Sequence, residues 1–266
     1  MSIFVLADVH GRWQCIGDFL HRRRKENLTK EDTLIILGDS GLNYFLNERD
    51  DVLKSLMERS AITYFIIRGN HEERPEICVA NNPNDWHIES YFGNDVYVEN
   101  KYPSIKYAMD VPTIYKIPTD VNEKGYFSTF VLPGAYSVDK KHRLTMGWSW
   151  FKSEQPTEDE KTLGLQLTHH LNMEGGCDLV LSHTCPCAFQ PRDLFLSFVD
   201  QSKVDNSTER WLGQIEFSLN YDAWMWGHYH AFRDYPRNDG KRHLMLFNDK
   251  AVDLNDFMTK DCAKGI

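Results

Sequence analysis

The residues of this chain that could do chemistry occur in five short blocks, and each block directly follows an apolar run. The blocks are built from Asp, His and one Asn, whose side chains bind divalent cations or transfer protons. In chain order, the candidate ligands are Asp8, His10, Asp39, Asn70, His183, His228 and His230. These are too many ligands for one tetrahedral ion, so the sequence predicts two metal ions.

The chemistry of these side chains narrows the choice of metal. Carboxylate and amide oxygens favour manganese, magnesium or ferrous iron, and imidazoles extend the range to zinc and nickel. We therefore expect two divalent ions drawn from Mn, Fe, Zn or Ni, with Mn favoured. Paired ions about 3.5 to 4 Å apart hold the attacking and leaving oxygens of a phosphoryl transfer and need a bridging carboxylate. Asp39 is the natural bridge.

The apolar runs that precede the blocks predict the elements that position them. They cover residues 3–7, 33–37, 63–67, 178–181 and 223–226. Each run is short, continuous and rich in β-branched and aromatic residues, which is typical of a buried strand. Because ligands bind at the carboxyl ends of the strands in open α/β sheets, we expect the five blocks to converge on one site.

Two histidine arrangements need a backbone argument. His228 and His230 flank Tyr229, and an extended backbone would point both imidazoles the same way. By the same reasoning, the side chain of His71 should point away from that of Asn70. His71 would then be free to act as an acid, since imidazole titrates near neutrality. The alternative is that His71 does not react and only orients a metal-binding side chain. Histidines outside the blocks are expected to be ordinary residues: His21, His87, His169, His170 and His243.

The blocks read Asp-x-His, Gly-Asp, Gly-Asn-His-Glu, His and Gly-His-x-His from position 8 to 230, and they resemble those of the calcineurin-like metallophosphoesterases. The resemblance implies an α/β fold, a four-layer α-β-β-α sandwich of two mixed sheets with outer helices. It implies that one metal ion is held by Asp8, His10, Asp39 and His230. The other would be held by Asp39, Asn70, His183 and His228. It further implies catalytic roles for Asn70 at the phosphate and His71 at the leaving oxygen.

The second block departs from the protein Ser/Thr phosphatase branch of this family. Those enzymes continue Gly-Asp with Val-Asp-Arg-Gly, whereas residues 40–43 here read Ser-Gly-Leu-Asn. The usual aspartate partner of His71 and an arginine that grips phosphate are therefore missing from this segment. Another cation should bind the phosphoryl oxygens, which favour guanidinium groups. The candidates are Arg12, Arg68, Arg74 and Arg143.

We expect the protein to hydrolyse phosphate esters with a metal-activated hydroxide. A phosphomonoesterase is favoured because of the Gly-Asn-His-Glu block, with small molecules, nucleotides and phosphoproteins as candidate substrates. One alternative is a phosphodiesterase that acts on nucleotides or single-stranded nucleic acid. An alternative from another class is a non-catalytic, metal-stabilised interaction module, against which the complete ligand set argues.

Composition agrees with an enzyme of this kind. At 266 residues, with 41% hydrophobic and 26% charged residues, the chain can bury a large core, and we expect a single domain over residues 1–266. The net charge of -9 argues against nonspecific binding of duplex nucleic acid. With no signal peptide, no membrane-spanning stretch and no zinc-type pair of Cys motifs, we expect a cytoplasmic protein with reduced cysteines and no membrane partner.

Other patterns predict the remaining elements. Helical spacing of apolar residues predicts core-facing stripes in two helices, one with Trp13 and Phe19 and one with Val52 and Leu53. The capping-box pattern at residues 157–160 predicts a helix that ends near residue 175. Short β-like stretches between residues 86 and 151 indicate antiparallel strands. The aromatic segment 147–151 is expected to pack in the core, with a base-stacking wall beside the metals as the alternative.

Overall fold

In the computed structural model, which describes residues 1–195, 197, 199–236 and 240–259, the chain forms two mixed sheets with helices outside them. The strands are β1 (Ile3–Leu6), β2 (Thr33–Leu37), β3 (Thr63–Ile67), β4 (Trp86–Tyr91), β5 (Asn94–Glu99), β6 (Ile105–Ala108), β7 (Thr113–Pro118), β8 (Tyr126–Leu132), β9 (Cys177–Ser182), β10 (Tyr221–Trp226), β11 (Arg233–Pro236), β12 (Arg242–Met245) and β13 (Val252–Asp253). The helices are α1 (Trp13–Arg22), α2 (Glu48–Glu58), α3 (Pro75–Asn81), α4 (Lys140–Met146), α5 (Glu158–Met173), α6 (Ser207–Ser218) and α7 (Leu254–Thr259).

The strands that precede the five blocks lie side by side within the two sheets. The first sheet has the order β13-β1-β2-β3-β6-β5-β4, and the second has the order β11-β12-β10-β9-β8-β7. The neighbours β1, β2 and β3 run parallel, as do β9 and β10, so their carboxyl ends lie at the same edge. All five strand predictions are confirmed. Antiparallel pairing of β4 with β5 and of β7 with β8 also confirms the prediction for the middle region.

Three buried clusters separate the layers of the fold. Leu37 of the first sheet and Leu181 and Met225 of the second belong to one cluster between the sheets. On the outer side of the first sheet, Phe19 of α1 and Leu53 of α2 pack against strand residues. A third cluster packs α5 and α6 against the second sheet. These layers are the α-β-β-α sandwich that the resemblance implied.

Helix α5 shows how local sequence signals set element ends. The Glu160 N–H donates to Thr157 Oγ1 at 3.3 Å, and the Thr157 N–H donates to Glu160 Oε2 at 2.6 Å. This is the predicted capping box, which pairs two backbone donors that a helix start leaves open. The helix ends before Gly175 and Gly176, whose φ angles of 99° and 106° favour glycine. Both ends of the predicted helix are confirmed.

Two packing expectations were wrong. Val52 is 66% exposed, so the core-facing residues of α2 are Leu53 and Met57 rather than the full predicted stripe. In the aromatic segment, Phe151 is buried, but Trp148 is 50% exposed. Its ring contacts the imidazole of His142 in an edge-on arrangement. The segment as a whole therefore does not form part of the core.

Two further observations bear on the sequence expectations. In the described part of the chain, no helix offers an apolar stretch as long as a bilayer crossing requires. Five cysteines are free thiols, namely Cys15, Cys78, Cys177, Cys185 and Cys187. The sixth, Cys262, lies outside the described residues.

Candidate metal centre

The candidate ligands follow their strands in tight turns with unusual backbone angles. Asp8, His10 and Asp39 have φ angles of 54°, 50° and 50°. His228 and His230 have φ angles of 74° and 53°, so the extended backbone expected for these two histidines is wrong. A left-handed backbone costs a residue with a Cβ roughly 1–2 kcal/mol. Such strain is concentrated at functional sites, where the surrounding structure maintains it.

One group of four ligands surrounds a single point. The ligand atoms of Asp8, His10, Asp39 and His230 all lie within 4.8 Å of one another. His10 Nε2 lies 2.8 Å from His230 Nε2 and 3.8 Å from Asp39 Oδ2. His230 Nε2 lies 3.9 Å from Asp8 Oδ1. These are the four residues of the first metal set that the resemblance implied.

The second set meets on the other side of Asp39. His183 Nε2 lies 2.9 Å from Asn70 Oδ1 and 3.4 Å from Asp39 Oδ1. The rings of His183 and His228 have their centroids 5.0 Å apart. Asp39 therefore turns Oδ2 towards the first group and Oδ1 towards the second. This is the arrangement that a carboxylate shared between two cations requires.

Hydrogen bonds from neighbouring residues fix the orientation of these ligands. The His228 N–H lies 3.0 Å from both carboxylate oxygens of Asp8. His183 Nδ1 donates to the Leu37 carbonyl at 2.8 Å, which fixes the ring with Nε2 towards Asn70 Oδ1. Asn70 Nδ2 donates to Ser137 Oγ at 2.8 Å, so its carbonyl oxygen faces His183. Ser137 is a supporting residue that no sequence motif indicated.

The charges at the site suit cations. Burial lowers the pKa of His10 to about 4 and that of His228 well below its usual range, so both imidazoles are neutral near pH 7. Burial alone would raise the pKa of Asp39, but the His183 and His71 imidazoles hold it well below its usual range. Burial would lower the pKa of His183, but the carboxylates of Asp39 and Asp8 raise it to about 9. Ionised carboxylate and neutral imidazole are the forms that bind metal, and a metal would displace the His183 proton.

His71 lies beside these ligands with two partners from a distant segment. Its Nδ1 lies 3.5 Å from Asp39 Oδ2 and accepts a hydrogen bond from Arg143 Nη2 at 2.9 Å. Its Nε2 lies 3.8 Å from Asp139 Oδ1, and Arg143 Nε donates to Asp139 Oδ2 at 2.8 Å. The turn before α4 and α4 itself thus supply an aspartate and an arginine beside His71, although residues 40–43 lack them. Sequence reasoning selected Arg143 but missed Asp139.

The other candidate arginines have different surroundings. Arg74 is 4% exposed, and its guanidinium donates to Glu160 at 2.6 Å and lies 3.1 Å from Asp110 Oδ2. Arg68 is equally buried and donates to Asp110 at 2.6 Å. The structure places both in an internal ion-pair network instead of at the ligands. Arg12 is exposed next to the first group, where its charge adds to the effect of burial in lowering the pKa of His230.

Glu72 connects the loops that carry the ligands. It is 3% exposed and accepts hydrogen bonds from the Gly69 N–H at 3.0 Å, the Gly41 N–H at 3.2 Å and the Ser40 hydroxyl. These donors belong to the loops after β2 and β3. Glu72 therefore stabilises the loop positions of Asp39 and Asn70, and it is not a solvated residue.

A cavity of about 860 Å³ opens next to the ligand groups. Asp39, Asn70 and His71 line one side of it, together with His228 and His230. The rest of the lining comes mainly from described residues between 190 and 206, namely Gln190, Arg192, Leu194, Phe195, Ser197, Val199, Gln201, Val204, Asp205 and Asn206, and from Glu209 at the start of α6. Among the described residues, the lining includes none of the candidate arginines Arg12, Arg68, Arg74 and Arg143. Residues 190–206 contain no periodic pattern, so local sequence patterns do not predict that they line the cavity.

A sequence profile of calcineurin-like phosphoesterases matches residues 1–232. The chain therefore belongs to the calcineurin-like phosphoesterase family, and it is a metal-dependent phosphoester hydrolase. No curated protein matches it in sequence.

Solved structures show similarity at the level of the fold. A dimetal phosphatase from Danio rerio is 13% identical, with a TM-score of 0.51 over 93% of this chain and 87% of that chain. GAP50, described as the anchor in the inner membrane complex of Plasmodium, is 13% identical, with a TM-score of 0.52 over 93% of this chain and 71% of that chain. At these identities the similarity shows the sandwich alone.

Proposed function

We propose that this protein is a phosphomonoesterase that uses two divalent ions held by the seven candidate ligands. The observation that carries the proposal is the position of Asp39, whose two oxygens face two ligand groups beside a cavity. A cavity on one side of the site suits an ester with one organic group. The Gly-Asn-His-Glu block, which is typical of phosphatases in this family, supports the same choice.

The chain's own residues have distinct tasks in this proposal. The bound ions would activate a water molecule and neutralise the phosphoryl oxygens. Asn70, whose amide is fixed by Ser137, orients the phosphate next to Asp39. Arg143 holds the His71 ring through Nδ1, so that Nε2 carries the hydrogen and donates a hydrogen bond to the leaving oxygen, which stabilises the charge that develops there. Arg12, an exposed cation beside the first ligand group, can approach an incoming phosphate.

Manganese is the metal we propose for both positions. The donors are carboxylate, amide and imidazole groups, and the two ligand groups contain no thiolate among the described residues. Oxygen-rich sites with imidazole suit Mn(II), while thiolates would favour Zn(II). Metal analysis of the protein purified without chelator, followed by reconstitution with Mn, Fe, Zn or Ni, tests this choice. Higher turnover with another metal would overturn it.

Comparison of p-nitrophenyl phosphate with bis(p-nitrophenyl) phosphate tests the substrate class. A phosphomonoesterase should show a higher kcat/KM for the monoester. Preference for the diester would instead establish the phosphodiesterase alternative. Absence of turnover on either ester and on pyrophosphate, with two metals bound, would support the non-catalytic module.

Replacement of His71 tests its assigned role. His71→Ala should lower kcat about 100-fold or more, as loss of a hydrogen-bond donor to developing charge does, while both metals remain bound. His87→Ala on the exposed face of β4 is the control and should leave kcat unchanged. Loss of metal from His71→Ala, measured by elemental analysis, would contradict the role.

We further propose a single domain and a cytoplasmic location. Strands β12 and β13, which follow the profile match, pair with β10 and β1, and this supports one domain over the whole chain. The five free thiols among the described residues support a reducing compartment.

A further inference from the structure

We propose that Glu209 forms a recognition subsite in the cavity for a hydrogen-bond donor, an ammonium or a hydroxyl, on the organic part of the substrate. The inference rests on the proposed function for the position of the phosphate. It adds the class of substrate, namely a phosphate monoester of an amino alcohol or a diol.

The environment of Glu209 carries the proposal. The residue lies in the first turn of α6, lines the cavity and is only 3% exposed. Its Oε1 accepts a hydrogen bond from Thr184 Oγ1 at 2.8 Å. Its Oε2 is buried and has no hydrogen-bond partner among the residues that the structure describes. One oxygen of this cavity-lining residue thus has no donor among the described residues.

Such an arrangement is unfavourable unless a partner is supplied. Glutamate is almost never fully buried unless it is paired, and a buried polar atom with no partner costs about 1–3 kcal/mol. Burial accordingly raises the pKa of Glu209. The neighbouring acid Asp205 cannot provide the missing donor, and its own oxygens accept from Gln155 and the Ser207 N–H. A donor on a bound ligand would satisfy Oε2 and favour the ionised carboxylate.

The rest of the wall indicates what connects this donor to the phosphate. Leu194, Phe195 and Val199 line the same cavity and add apolar surface to it. An alkyl or similar linker would bury its carbon atoms there. Four of the candidate ligands, Asp39, Asn70, His228 and His230, line the same cavity as Glu209, so one molecule can contact both parts. This gives a phosphate at one end of the substrate and a hydrogen-bond donor at the other.

Binding of non-hydrolysable phosphonates tests the subsite without relying on catalysis. The series comprises alkyl phosphonates of increasing chain length that end in an amine, a hydroxyl or a methyl group. Titration calorimetry with the manganese-loaded protein should show, at one chain length, about 10- to 100-fold tighter binding of the amine or hydroxyl form than of the methyl form. Glu209→Gln and Glu209→Leu should both reduce this ratio towards one.

A matched control separates the subsite from general effects on the fold. Glu158→Gln changes an exposed glutamate in the first turn of α5 and should leave the ratio as in the unmodified protein. Equal binding of the three end groups at every chain length, or no binding of any phosphonate, would overturn the proposal. A ratio that survives in both Glu209 variants would overturn it as well. Absence of ester hydrolysis alongside a normal binding ratio would instead count against the proposed function alone.

Discussion

Replacement of Gly38 by alanine should damage the metal centre through one specific collision. Gly38 follows β2 with a φ angle of 78°, and an added Cβ would lie 2.1 Å from His183 Nδ1 and 2.8 Å from Gly69 Cα. Ordinary contact begins at 3.4 Å, so the imidazole must move by about 1.3 Å. That movement takes His183 away from Asn70 and Asp39 together.

The expected loss of stability has two parts. A Cβ at positive φ costs roughly 1–2 kcal/mol. Displacement of the imidazole breaks its hydrogen bond to the Leu37 carbonyl, and unpaired buried groups add about 1–3 kcal/mol. We therefore expect Gly38→Ala to lower the free energy of unfolding by about 2–5 kcal/mol. Gly125→Ala is the matched control, because Gly125 has a φ angle of 73° and no atom within 4 Å of the added Cβ. Gly125→Ala should therefore lose only the roughly 1–2 kcal/mol that a Cβ at positive φ costs.

Urea unfolding and metal analysis decide the outcome. Gly38→Ala should retain about one metal ion per chain after dialysis, whereas Gly125→Ala should retain two. The kcat/KM for a phosphate monoester should fall about 100-fold or more in Gly38→Ala, as expected for a misplacement of about 1 Å. Equal stability losses in the two variants, with both metals kept, would refute the reasoning.

Three further predictions follow from separate parts of the structure. Arg143→Lys loses the contact with His71 Nδ1 and should lower kcat at least about 10-fold, with a smaller change in KM. The control Arg59→Lys, at the end of α2, should change neither kcat nor KM. Equal kcat in the two variants would exclude a role of Arg143 through His71. Thr157→Ala removes the cap of α5 and should lower the free energy of unfolding, measured in urea, by about 1 kcal/mol. Thr162→Ala within the helix should leave it nearly unchanged. Equal stability of the two variants would contradict the capping role of Thr157. Glu209 has a folded pKa raised above its ordinary value of 4.5, so its contribution to stability is present below that value and lost as pH rises through the raised pKa. The stability of Glu209→Gln minus that of the unmodified protein, measured with chelator present throughout, should therefore be larger at pH 7 than at pH 4. A stability difference that does not change with pH would contradict the effect of burial on Glu209.

The elements that position the site could be predicted because their signal is local. Continuous apolar runs such as residues 33–37 produce fully buried strands, and the block after each run lies at its carboxyl end. The family blocks then indicated which side chains converge. The backbone conformation of the blocks was harder to predict from the sequence. His228 and His230 look like alternating strand residues in the sequence, but they lie in a turn.

The residues that support the ligands could not be predicted from local patterns. Asp139 contacts His71 from a segment 68 residues away, and Ser137 orients Asn70 over 67 residues. Neither lies in a motif, and their spacing follows no period. Arg74 shows the opposite problem, since an arginine close to a metal block in sequence binds Glu160 and Asp110 inside the protein. Only the tertiary fold shows whether an arginine is placed to bind substrate or to form internal ion pairs.

Each candidate ligand group draws its residues from both sheets, and this explains how the strained turns are maintained. Asp8, Asp39 and Asn70 follow strands of the first sheet, whereas His183 and His228 follow strands of the second. Contacts such as Asn70 with His183 at 2.9 Å form only when the two sheets are in register. The core between the sheets is fully buried at the strands that lead into these turns, so the same packing that stabilises the sandwich sets the distance between the two halves of the centre.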